Sequence, residues 1–173
     1  MIKVPKPKEG EYSPYAVTYF NALGNNDALQ TLINRAAEVE QLWRNIPEDK
    51  GHYRYADDKW TVKQVIGHIT DVERIFGYRA LCIARGETIN LPGFEEDEYE
   101  AAAKHNERSL NNIIDEWVAL RKANIILFST FTTTDFNIVG RANNQNTSVA
   151  AVVTALAGHE IHHTNILAER YGI

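Results

Sequence analysis

Apolar residues recur at intervals of three and four in four separate stretches of this chain, each bracketed by residues that start or stop a helix. The most sharply bounded opens at Thr61, with Gln64 three residues on as a capping box. It carries Val62, Val65, Ile66, Ile69, Val72, Phe76 and Ile83 as its stripe and stops at Gly86. Before it, Asn26 reads as an N-cap for a helix with Leu29, Leu32, Ile33, Ala36, Val39, Leu42, Trp43 and Ile46, halted by Pro47. After it, Ser109 caps a helix through Leu110, Ile113, Ile114, Trp117, Leu120, Ile125 and Leu127. The last begins at a Thr147/Ser148 cap, runs through Val149, Val152, Val153, Leu156, Ile166 and Leu167, and ends at Gly172. Four amphipathic helices with little strand-like alternation predict an all-α four-helix bundle, and the long linkers 47–60 and 86–108 favour crossover connections.

Between these stretches the chain is polar. FEEDEYEAAAK, after the Pro92-Gly93 turn, reads as a short helix, and 129–146, rich in Thr, Asn and Gly, reads as a break. Residues 1–24 hold three of the five prolines, Pro5, Pro7 and Pro14, and are expected to form an extended arm whose Tyr15, Tyr19 and Phe20 pack onto a single bundle domain, 25–173.

Charge narrows the partners. Against 23 acidic residues stand 18 lysines and arginines, a net charge of -5, so no positive field draws a nucleic acid. No signal-sequence core and no run of about 18 uncharged apolar residues is present, which points away from secretion and membrane insertion. A lone cysteine, Cys82, makes neither an internal disulfide nor a thiol-based metal cluster, and a reducing cytoplasmic setting is expected. A homodimer through an apolar helix face is the expected assembly.

The histidines carry the chemistry. His159 and His163 stand four apart in the last stripe, so their rings leave one helix face together and can chelate one ion. A third ligand is available in His68, three after Val65 and four before Val72. Three neutral imidazoles from two helices would leave a coordination position open, as in catalytic metal sites. The competing reading is that they are core histidines satisfied by backbone. His159-Glu160-Ile161-His162-His163 also spells the zinc-protease pattern H-E-x-x-H, but its extended form wants glycine seven and histidine ten residues after the first His, where Ile166 and Glu169 stand.

Asp71 and Glu73, within about one turn of His68, and Glu160, beside His159, are candidates to orient a ring through its free N–H; solvent-facing helix charge is the alternative for each. Arg79, three turns past His68, and Arg170, two past His163, are candidates to hold an anionic substrate group, with surface pairing as the alternative. Phe131, Phe136 and Asn143 are candidates for a lid.

Three segments, KWTVKQVIGHITDVERIFGYRA, PGFEEDEYEAAAKHNERSLNNIIDEWVALR and TSVAAVVTALAGHEIHHTNILAERYG, resemble the DinB/YfiT-like superfamily of metal-binding four-helix bundles over residues 60–172. The resemblance implies that His68, His159 and His163 bind one divalent ion, nickel or zinc, and that His162, the extra histidine of the GHxxHH run, does not. It implies a metal-dependent enzyme acting on a small molecule, either a hydrolase or an S-transferase using a low-molecular-weight thiol such as bacillithiol, mycothiol or glutathione. A non-enzymatic metal-binding stress-response module is the alternative.

Overall fold

The computed structural model describes residues 2–173. Seven helices follow one another: α1 Val17–Leu23, α2 Ala28–Arg44, α3 Val62–Ala84, α4 Glu96–Ala103, α5 Leu110–Ser129, α6 Thr133–Phe136 and α7 Val149–Ile166. The four long ones, α2, α3, α5 and α7, are the bundle. Their starts follow the capping residues. Thr61 and Gln64 bond reciprocally, the Gln64 amide donating to Thr61 Oγ1 at 3.2 Å and the Thr61 amide to Gln64 Oε1 at 2.9 Å. Ser109 accepts from the Asn112 amide and Ser148 from the Ala151 amide. At α2 the cap is Asp27, one residue beyond the expected Asn26. Its second carboxylate oxygen also accepts the Val4 amide at 2.8 Å, which ties the N-terminal segment to the bundle.

Helix α2 packs on α5 and α7, and α3 packs on the same two, so the order around the bundle is α2, α5, α3, α7. Successive helices α2 and α3 therefore sit on a diagonal, as do α5 and α7. The chain crosses the bundle through 45–61, as the linker length predicts, and again through 130–148. By contrast, 85–109 returns to a neighbouring helix rather than crossing.

Two apolar cores fill the bundle. One gathers Leu32, Val72, Phe128 and Val153, the other Val39, Ile66, Trp43 and Trp117, with the two tryptophan rings 4.7 Å apart. Between them lies a buried polar belt to which all four helices contribute. Arg121 of α5 donates through Nε and Nη2 to the Glu73 carboxylate of α3 at 2.8–3.1 Å, and its Nη1 is 3.6 Å from Glu160 of α7. Arg35 of α2 donates to Glu160 at 2.9 Å, and Asn124 donates to the Glu73 side chain and carbonyl. Two guanidiniums and two carboxylates cancel, which is the condition for burying charge at tolerable cost.

The polar breaks are more ordered than their composition suggests. A three-stranded sheet forms from β1 Asn90–Leu91, β2 Val139–Ala142 and β3 Gln145–Ser148, with β1 parallel to β2 and β2 antiparallel to β3. Asn143 and Asn144, both at positive φ, make the tight β2–β3 turn. The expected extended arm holds as far as Ser13 and is corrected from Pro14 on. Residues 14–16 form a 3-10 turn leading into α1, and Pro14 sits in its first turn, where a missing N–H costs nothing. Tyr19 and Leu23 bury against α7. The approach is close enough that a Cβ on Gly158 would fall 1.9 Å from the Tyr19 carbonyl oxygen, so only glycine fits there. No helix of the described residues is long and apolar enough to cross a membrane.

Candidate metal centre

Packing of α3 on α7 brings His68 to the i, i+4 pair His159 and His163 at the level of the polar belt. One ring nitrogen from each lies within 4.8 Å of the other two. His68 Nε2 and His159 Nε2 face each other at 3.0 Å, and the ring centroids are 4.4–5.0 Å apart. His68 and His159 are buried and His163 is half-buried.

Burial sets the protonation state. Loss of solvation, reinforced by His105, pushes His68 down to about 4; loss of solvation, reinforced by His68 and His162, pushes His163 down to about 3; His159 is likewise held well below its ordinary value, by burial and then by its histidine neighbours. At neutral pH three uncharged imidazoles thus surround one point, and His159 Nδ1 is buried with no hydrogen-bond partner. Three uncharged nitrogen donors with no carboxylate among them suit a borderline divalent ion.

The same shifts predict an acid response. A folded-state value below the unfolded 6.5 means that the unfolded chain binds more protons, so stability is full above pH 6.5 and is lost as pH falls toward 4. His68 alone contributes about 3 kcal/mol to that loss. The urea midpoint of metal-free protein is expected to drop steadily from pH 7 to 5, with a shallower slope for His68→Gln; a flat wild-type profile would refute the buried, neutral state.

Above the histidines opens a cleft of about 250 Å³, bordered by α1, α3, α7 and the β2–β3 hairpin. Tyr19 sets its ring edge on His159 at 5.0 Å, and Trp60 leans on His68 at 5.0 Å. Burial raises the Tyr19 hydroxyl well above its ordinary value, so it stays protonated as a donor at the cleft wall.

The sequence pattern of the DinB superfamily matches residues 31–167, which takes in all three histidines and the four bundle helices. The chain belongs to the DinB superfamily. Among solved structures it is similar to YfiT from Bacillus subtilis, described as a probable metal-dependent hydrolase with an unusual four-helix bundle topology. The two share 18% identity and superpose with a TM-score of 0.73 over 97% of this chain and 94% of that one, which establishes a common fold. No curated protein matches the sequence.

Within this DinB-superfamily chain the carboxylates proposed to orient the rings have other partners. Glu73 and Glu160 are buried, contrary to a solvent-facing reading, but bind Arg121 and Arg35. Asp71 lies 4.0 Å from His105, whose other nitrogen meets Glu100 at 2.7 Å. The H-E-x-x-H glutamate is thus spent on two guanidiniums and on Thr164, which donates to it at 3.1 Å, leaving no free base of the protease kind. His162 lies outside the three-histidine group and packs on Tyr19 and His163. Arg79 does line the cleft, whereas Arg170 is exposed and bonds Tyr55. Of the three lid residues only Asn143 reaches the cleft; Phe131, in the link between α5 and α6, and Phe136 of α6 are core residues, nearly solvent-free. Sequence reasoning missed Tyr12, Phe76 and Phe94 as cleft walls. The only signal for Phe76 was its place on the His68 stripe, two turns on.

Proposed function

We propose that His68, His159 and His163 hold a divalent zinc or nickel ion, and that the chain is an enzyme that transfers a low-molecular-weight thiol to a small electrophile. The observation that carries this is the convergence of three uncharged imidazoles, two of which, His68 and His159, line the floor of an open cleft. An ion held by neutral donors keeps its full positive charge and lowers the pKa of a thiol or water that joins it. The chain supplies the rest. Tyr19, Phe76 and Val72 exclude water beside the histidines, and the protonated Tyr19 hydroxyl can donate to developing negative charge on the substrate.

A specific feature favours thiol transfer over hydrolysis. An ion activates either nucleophile by itself, but the general-base assistance that would speed water attack further is not offered by Asp71, Glu73 and Glu160, each of which interacts elsewhere. A thiol activated by lowered pKa needs no such base. Hydrolysis, the activity named for the similar YfiT structure, is the second reading.

The test is turnover of a fluorogenic electrophile such as monochlorobimane by zinc- or nickel-loaded protein with bacillithiol, mycothiol or glutathione, alongside ester and amide hydrolysis. Thiol-dependent turnover that disappears on metal removal and in His163→Ala is expected. Hydrolysis without thiol dependence would select the second reading. Metal binding with neither activity would leave a non-enzymatic binding module.

A further inference from the structure

Four arginines are not fully exposed, namely Arg35, Arg79, Arg108 and Arg121. Three of them bind carboxylates: Arg35 and Arg121 those of Glu160 and Glu73, and Arg108 that of Glu116. Arg79 has no carboxylate partner among the described residues. Its guanidinium lies against the rings of Phe76 at 5.6 Å and Phe94 at 5.8 Å, and its single hydrogen bond runs from Nη2 to the Pro92 carbonyl at 2.7 Å. Burial pulls its pKa down, the mark of a cation missing a counter-charge. The one acidic residue on the cleft wall, Glu96, is exposed and makes no ion pair with it.

The position is ordered along α3. Eleven residues separate His68 from Arg79, close to three helical turns, so both project from the same face about 16 Å apart along the axis. Val72 and Phe76 fill that face between them, and all four line the same cleft. Ala151 and Val152 of α7 continue the apolar wall. A ligand spanning the cleft would therefore meet the histidines at one end, an apolar middle, and a lone guanidinium at the other.

We infer that the cleft binds an elongated organic anion whose carboxylate or phosphate sits on Arg79 and whose opposite end lies at the three histidines. The inference deepens the proposed function by naming the substrate class, and it rests on that reading for the role of the histidine end alone. A charge-assisted bond to a planar guanidinium favours an anion over a neutral group by about tenfold or more. Arg79 also borders a second cavity, of about 340 Å³, with Arg74, Leu91 and Tyr99. Titration of zinc-loaded protein separates the two, because only the main cleft joins Arg79 to the histidines.

The experiment is calorimetric titration of metal-free protein with hexanoate, octanoate and decanoate against the matching alcohols. At one preferred length the carboxylate should bind about tenfold or more tighter than its alcohol. Arg79→Met and Arg79→Gln should erase that advantage and leave alcohol affinity unchanged, while Arg79→Lys keeps part of it. Absence of saturable carboxylate binding, equal affinity for acid and alcohol, no dependence on length, or an advantage that survives both neutral variants would each overturn the inference. A parallel titration of zinc-loaded protein with ω-mercaptocarboxylates and ω-mercaptoalcohols tests the other end. Loss of any thiol preference there, with the carboxylate advantage intact, would refute the thiol-transfer reading and leave the Arg79 site standing.

Discussion

Replacing His159 by alanine should abolish stoichiometric zinc or nickel binding while leaving the helical content of the protein intact. His159 is the most enclosed of the three rings, lying 4.9 Å from His68 and 4.4 Å from His163 between centroids, so its loss breaks the group at its centre. Two imidazoles on separate helices are a poor chelate, and affinity should fall by about a hundredfold or more. The ring removed is neutral and its Nδ1 has no partner, so no buried charge is orphaned and the fold survives. Metal content after dialysis, with titration of added zinc, measures the effect. His162→Ala is the control and should keep one equivalent. A His159→Ala protein that still binds one equivalent at wild-type affinity would remove the metal centre from the account.

The second large effect is structural. Arg121→Met should destabilise the protein by about 3–5 kcal/mol, because it leaves Glu73 buried without its cation and Glu160 with only Arg35. Removing both charges together, as in Arg121→Met with Glu73→Leu, should recover much of the loss, since the penalty lies in the unpaired ion more than in the pair. Urea denaturation of the two variants reads this directly; a single-variant loss below about 1 kcal/mol would show that water or a rearranged side chain solvates Glu73. Glu73 follows His68 by five residues on α3 and Glu160 follows His159 by one on α7, so weakened metal binding in Arg121→Met should accompany the lost stability.

Much of the bundle was legible because its helices announce their own ends. Thr61 with Gln64, Ser109 and Ser148 are local signals whose hydrogen bonds form within one turn, so nothing distant can override them. The convergence of His68 with His159 and His163 was legible as a possibility through the stripe each occupies, but not as a fact, since it depends on α3 packing beside α7. The helix order was hidden for the same reason. The β2–β3 hairpin escaped because its strands are four residues each in a polar stretch and its partner β1 is only two. The ionic belt escaped because charged residues ordinarily mark the solvent face. Two clues were nevertheless present. Arg121 stands four after Trp117 on one helix face, and α7 from Val149 to Gly158 is apolar on nearly every side, so Glu160 had no surface to reach. The helical half of the N-terminal segment was obscured by Pro5 and Pro7, which forbid a helix only where they stand.

The histidine group and the walls of the cleft beside it come from different parts of this molecule. The histidines are anchored in the bundle, while Tyr12, Tyr15, Tyr19, Phe94 and Asn143 around them are carried by α1 and the segment leading into it, the segment before α4 and the hairpin turn. Exchanging those outer pieces alters what is admitted without disturbing the rods that hold the imidazoles together. Under the proposed function, such a division would let the rim change while the scaffold stays, and chimeras with swapped rims would show whether the rim sets the choice of ligand.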